Sequence, residues 1–136
     1  MPEESHEAMN STLAQLLRAI SEVDVSTIQA CCTEQVELHV PGARDVDLTH
    51  RSQGSEALGA WAKSVHDLCG MTKVAVHRYF ENGCETMAAG MINIERLPRR
   101  FSSPCSVHVR FEGDRVASFQ LLLDTYALER FRGGMD

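Results

Sequence analysis

No apolar run in this chain approaches the ~20 residues that a membrane-spanning helix requires. Positive charge is also scarce: 13 Lys and Arg stand against 19 Asp and Glu, for a net charge of -6. Nucleic acid and anionic membranes reward a basic face, so neither is an expected partner. There is no Cys-x-x-Cys pair, and the five cysteines (Cys31, Cys32, Cys69, Cys84, Cys105) are odd in number. They read as free thiols of a reducing, cytoplasmic compartment, packed as small core residues. The opening MPEESHEAMN is acidic and polar, the opposite of a signal peptide. Internal repeats, low-complexity tracts, a domain linker and nucleotide-binding motifs are all missing, and no cofactor is expected.

What remains is an ordinary globular composition. The chain has 136 residues, 43% of them hydrophobic and 24% charged, which fits one domain with room for a small internal cavity. Residues 1–9 read as a flexible leader, 10–131 as the domain and 132–136 as a loose tail.

Strand and helix periods divide the domain cleanly. Asn10, Ser11 and Thr12 offer cap oxygens to a helix whose stripe is Leu13, Leu16, Leu17 and Ile20. Asp24 or Ser26 can cap a second, shorter helix with Val25, Ile28 and Cys32. Val36, Leu38 and Val40 alternate with Glu37 and His39 as a short strand, ended by Pro41-Gly42. A polar loop over residues 43–53 leads to a third helix over residues 54–70, with Leu58, Trp61, Ala62 and Val65 on its apolar face and Gly70 past its end. Strands then follow. Val74, Val76, Arg78 and Phe80 share one face of the first, with Ala75, His77 and Tyr79 on the other. Asn82-Gly83 predicts a tight hairpin, because a type I′ turn needs positive φ at both central residues. Gly90 predicts a bulge or bend in the returning strand. Arg96, Arg99 and Arg100 sit at a turn expected to be solvated. The last hairpin is the most apolar: Val107, Val109 and Phe111 alternate outward to Gly113-Asp114, then Val116, Phe119, Leu121 and Leu123 run up to Asp124.

The predicted order is α-α-β-α-β-β-β-β, an α+β cone in which a curved antiparallel sheet packs against three helices and leaves a concave interior. In its helical pair, its VELHVPG strand, its QGSEALGAW helix start and its FEGDRVASFQLLLDTYALERF ending, the chain resembles the NTF2-like superfamily. Within it, the SnoaL-like polyketide cyclases and ketosteroid isomerase relatives are the nearest match, over about residues 10–130. The resemblance implies a small-molecule pocket, and an aspartate near the end of the last strand as the acid–base residue; Asp124 falls on that pattern. The glutamine-leucine-glycine ending of those cyclases is replaced here by Glu129-Arg130-Phe131. The isomerase pattern fits less well, since no tyrosine precedes Tyr79 and His39 stands where the carboxylate would be.

The candidate catalytic residues are therefore Asp124, as a base whose pKa an apolar pocket would raise, and His39, whose imidazole titrates near neutrality. Each has a plainer reading, as a strand-end cap and as a hydrogen-bonded structural histidine. A regular strand would put His39 on the face opposite Leu38 and Val40. Trp61, Leu58, Val65, Tyr79 and Tyr126 are the candidate substrate-binding residues. His39, Asp45, Asp47 and His50 match no short metal motif and read as a solvated loop, so no metal site is expected. Two functions follow. One is a cofactor-independent cyclase or isomerase that abstracts a proton next to the carbonyl of a small hydrophobic or aromatic compound, with Asp124 as base. The other is a non-enzymatic ligand-binding or assembly domain with the same cavity. His108, Arg110, Ser118 and Gln120 alternate opposite the apolar positions and predict a homodimer through that outer face.

Overall fold

The computed structural model describes residues 2–41 and 50–132. In chain order the elements are α1 (Pro2–Glu22), α2 (Val25–Cys31), β1 (Cys32–Val40), β2 (His50–Gln53), α3 (Ser55–Cys69), β3 (Met71–Asn82), β4 (Glu85–Arg96), β5 (Arg99–Glu112), β6 (Arg115–Leu122) and α4 (Thr125–Arg132). The strands form one six-stranded sheet in the order β2-β1-β6-β5-β4-β3. This is the α+β cone expected from the periodicities, with two further elements, β2 and α4. Loop residues 43–49 of the sequence reading, Asp45 and Asp47 among them, and the tail from residue 133 lie outside the described residues.

The sheet is mixed where an antiparallel one was expected. β3, β4, β5 and β6 form an antiparallel meander, but β1 runs parallel to β6, with Leu38 opposite Phe119 and His39 opposite Gln120. A hairpin forces antiparallel pairing only on strands joined by a short turn. β1 and β6 are separated by most of the chain, so no turn constrains them.

The helices are set by local chemistry. α1 begins at Pro2, well before the expected cap at Asn10. Glu and Ala in the first turns are good helix formers, and Asn10 instead donates through Nδ2 to Glu81 Oε1 on β3, at 2.9 Å. Asp24 caps α2: Thr27 donates its hydroxyl to Asp24 Oδ2 at 2.7 Å and its backbone N–H to Oδ1 at 3.3 Å. The Thr27 hydroxyl bond, followed by the amide bond, holds the Asp24 carboxyl below its usual pKa. α3 ends at Gly70, whose φ of 108 sits where a side chain would be strained.

Two of the three arginines expected in a solvated turn, Arg96 and Arg99, hold helix ends, and Arg100 is exposed as expected. Arg96 Nη1 donates to Leu68 O in the last turn of α3, at 2.7 Å. Arg99 donates through Nη2 to Phe131 O in α4, and its guanidinium lies 4.5 Å from the Phe131 ring centroid. Cations at helix C-termini satisfy carbonyls that have no intrahelical donor.

β3 and β4 place the inner wall. The register shifts between Val76 and Arg78, a bulge that lets His77 pass unpaired. Gly90 stands opposite Val76, and a Cβ there would collide with the Ala75 backbone oxygen. The bulge reverses the alternation read from sequence: Tyr79 joins Val74 and Val76 on the inner face, opposite Ala88, while Arg78 and Phe80 turn outward. Phe80 is 45% exposed as a result, with the Arg78 guanidinium 5.6 Å from its ring centroid.

Candidate functional site

The inner face of the sheet, α1, α3 and α4 enclose a cavity. β1 supplies Val40; β3 and β4 supply Thr72, Val74, Ile92 and Ile94; β6 supplies Phe119 and Leu121. The helices close it with Leu17, Ile20 and Ser21 from α1, Trp61 and Val65 from α3, and Leu128 from α4. Each strand contributes alternate residues because a pleat sends i and i+2 to the same side. Trp61, the single tryptophan of the chain, is buried against this space.

The cavity is narrow and apolar. Its volume is about 30 Å³, room for a water or a methyl-sized group, whereas drug-sized ligands occupy roughly 300–1,000 Å³. Among the described lining residues none is ionisable. Ser21 and Thr72 bring the hydroxyls, and both already donate to backbone: Ser21 to Arg18 O at 2.8 Å, Thr72 to Gly70 O at 3.3 Å.

A second, open cleft adjoins it between α1 and β3, about 740 Å³ in volume. Leu17, Ser21, Thr72 and Val74 line both spaces and so form the threshold between them. The cleft has the polar groups the cavity lacks: Arg18, Glu22, His66, Lys73 and Tyr79. The Tyr79 phenol is protonated at neutral pH and so available to donate, and desolvation pushes its pKa further up from the ordinary 10.0.

Of the residues singled out from sequence, Trp61 and Val65 line the cavity. Leu58 is fully buried in the core without lining it, and Tyr79 lines the cleft. Tyr126 is 64% exposed. Asp124 does not line the cavity. It is exposed and caps α4: Ala127 N–H donates to Asp124 Oδ1 at 2.9 Å, and Leu128 N–H to Asp124 O at 3.1 Å. Its own N–H donates to the buried Ser103 hydroxyl at 3.2 Å. The expected placement of Asp124 inside the cavity beside Trp61 is thus not what the chain adopts. β6 ends at Leu122, and the next turn aims the carboxylate at the free amides of the helix that follows.

His39 lies on the other side of the sheet. Val36, Leu38 and Val40 are buried inward, and His39, between them in the alternation, faces out. The Gln120 side-chain amide donates to His39 Nδ1 at 3.3 Å. Gln120 is paired in turn with His108, whose Nε2 is 3.3 Å from Ser106 Oγ. Metal ligands do not cluster anywhere among the described residues. Four of the cysteines are buried; the fifth, Cys84, is exposed in the β3–β4 turn, against its reading as a core residue.

Sequence patterning missed the threshold and the cleft. The signal was present in the polar residues of α1, since Arg18, Ser21 and Glu22 follow Leu17 and Ile20 around the helix at the edge of its apolar stripe.

The comparisons agree with this architecture. The SnoaL-like domain model matches residues 13–119. No curated protein matches the chain by sequence. Among solved structures, an NTF2-like protein of unknown function from Burkholderia pseudomallei K96243 superposes with a TM-score of 0.81 at 19% identity, over 91% of this chain and 96% of that one. TerC co-crystallised with polyporic acid superposes with a TM-score of 0.82 at 13% identity, over 93% and 98% of the two chains. A protein with a ketosteroid isomerase-like fold from Catenulispora acidiphila DSM 44928, in complex with trimethylamine, gives a TM-score of 0.78 at 11% identity over 92% and 93%. At these identities the likeness is one of fold.

Proposed function

Because the chain belongs to the SnoaL-like domain family, a fold that holds small molecules in its cone, we propose that it is a small-molecule binding domain whose cavity takes the apolar end of its ligand. The observation that carries this reading is the lining: among the described residues no acid or base faces the cavity. A general base must come within hydrogen-bond reach of the proton it removes. Trp61 reports directly on occupancy, as the only tryptophan and a wall of the cavity. Straight-chain probes whose methyl end fits such a space, such as 1-butanol and 1-hexanol, should change its emission saturably and raise the melting temperature. No change in either, at probe concentrations up to solubility, would remove this reading.

The enzymatic reading has one observation in its favour. Asp124 directly follows Leu123 and caps the helix that carries Leu128, and both leucines line the cavity. In that reading Asp124 abstracts a proton next to the carbonyl of a small hydrophobic or aromatic compound bound against Trp61. Asp124→Asn would lower turnover by roughly two to four orders of magnitude with little change in affinity. Unchanged turnover in that variant would rule Asp124 out as the base.

For assembly we propose a homodimer through the outer sheet face. His39, Gln120, His108, Met87 and Phe80 form one row across five strands, half-buried except for Phe80. Arg110 stands opposite Glu85 and Ser118 on neighbouring strands. A face that mixes apolar, cationic and anionic groups in this way suits a second copy of itself. Light scattering at micromolar concentration should give twice the monomer mass; the monomer mass would overturn the assignment.

A further inference from the structure

We infer that the α1–β3 cleft is the mouth of the cavity, and that the ligand is an amphipathic carboxylate with its hydrocarbon end across the threshold and its head group in the cleft. The inference rests on the reading of the cavity as a ligand site and adds the chemistry of the other end of the ligand.

Size divides the ligand first. A cavity of about 30 Å³ accommodates only the tip of a molecule, while the cleft of about 740 Å³ has the volume for the remainder. Leu17, Ser21, Thr72 and Val74 line both. A chain that crosses this threshold meets aliphatic carbon and hydroxyls already committed to backbone carbonyls. Nothing there donates to an acceptor such as a carboxylate, so the end that enters is hydrocarbon.

Charge then selects the head group. The protein as a whole is acidic, with a net charge of -6, yet the cleft holds Arg18 and Lys73 against a single carboxylate, Glu22. Glu22 is engaged by Arg18 at 2.7 Å. Lys73 makes no ion pair among the described residues, and Tyr79 contributes a hydroxyl that is protonated at neutral pH. His66 also lines the cleft, with its Nδ1 3.8 Å from Asp67. A carboxylate can accept hydrogen bonds from Lys73 and Tyr79 and share Arg18 with Glu22. An ammonium head would meet two fixed cations, and a neutral hydroxyl would forgo their attraction.

The experiment compares octanoate, 1-octanol and octylamine by calorimetry and Trp61 emission, each below its aggregation concentration and at low salt. Octanoate should bind tighter than either other probe by about tenfold, the order of one or two charge-assisted hydrogen bonds at a partly exposed site. The Arg18→Gln, Lys73→Gln double variant, on exposed positions, should bring octanoate down to the affinity of octanol and leave octanol unchanged. Ser21→Leu, which narrows the threshold, should weaken octanoate and octanol alike. Equal binding of octanoate and octanol, or tighter binding of octylamine, would overturn the carboxylate assignment while the cavity reading stands. Unchanged octanoate affinity in Ser21→Leu would overturn the route. If none of the three probes binds, the cavity reading falls with it.

Discussion

The two faces of one sheet differ in what they bury. On the inner face Val36, Leu38, Ile92, Ile94, Val107, Phe119 and Leu121 are almost wholly covered, and around the cavity they leave no charge. On the outer face, one residue along each strand, His39, Gln120 and His108 are half-exposed and bonded to one another or to Ser106. The two candidate catalytic residues lie elsewhere, His39 on the outer face and Asp124 in the exposed cap of α4, while the residues that could hold a hydrophobic molecule lie inside. In an enzyme of the expected kind the two sets would converge. Here neither His39 nor Asp124 reaches the cavity lining, and the titratable groups beside it are those of the cleft, among them Glu22, His66 and Tyr79.

The comparison is broken most severely at neighbouring positions of β6. Phe119 is 1% exposed and lines the cavity; Gln120 faces out beside it. Phe119→Ala should destabilise the protein by about 3–5 kcal/mol, through lost transfer free energy and an enlarged cavity. Gln120→Ala should cost about 1 kcal/mol, the order of the hydrogen bond to His39 that it removes. Urea unfolding of both variants checks the pair. Similar losses at the two positions would mean that the outer face is as buried as the inner one, as a tight dimer would make it.

The thiols sort in the same way and give a pH signature. Burial pushes the Cys32 thiol up to about 12 and the Cys105 thiol up to about 11, from an ordinary 9.0. The folded state therefore keeps its thiol protons to higher pH than the unfolded state does. The stabilisation is complete below the unfolded pKa and is lost as pH rises from there through the folded values. Urea midpoints measured between pH 8 and pH 11 should fall, and Cys32→Ala should flatten the fall even though it lowers the plateau. Alkylation at pH 8 should modify Cys84 rapidly and leave the other four cysteines until unfolding.

A smaller loss is expected where α4 is tied down. Arg99→Ala removes the donor to Phe131 O and the stacked guanidinium. It should cost about 1–3 kcal/mol, the range for a hydrogen bond involving a charged group, and should loosen Leu128 at the cavity wall. Hydrogen exchange of the α4 amides reads this; full protection of α4 in the variant would show that Leu128 and Phe131 hold the helix unaided.

These contrasts also explain what could be read in the sequence. Alternation in β1, in β5 and in β6 from Ser118 onward, and the 3.6-residue stripes of α1 and α3, were legible, because each element buries one face. Trp61 and Val65 could be placed on the inner side of α3 for the same reason. β2 has no apolar residue in HRSQ, and only its pairing with β1 makes it a strand. The bulge was half legible: Gly90 marked an irregularity on β4, but the extra residue lies on β3 after Val76, where it reversed Arg78, Tyr79 and Phe80. Of the cleft, only the polar edge of α1 was legible, since the other wall depends on how α1 lies against β3.

Asp124 is where the comparison is sharpest and the expected effect smallest. Its carboxylate accepts the Ala127 amide at the start of α4, and replacement of an N-cap by alanine costs about 1 kcal/mol. Asparagine caps as well as aspartate, so Asp124→Asn should be nearly neutral in stability, while Asp124→Ala should be less stable by about 1 kcal/mol. A base desolvated in the cavity would behave differently. Removing its charge would stabilise the protein, and both substitutions would do so. Urea unfolding of the two variants at pH 7 distinguishes the cases without any knowledge of the substrate. If both variants gain stability, Asp124 spends its time inside the cavity, and the proton-abstraction reading regains the advantage over simple binding.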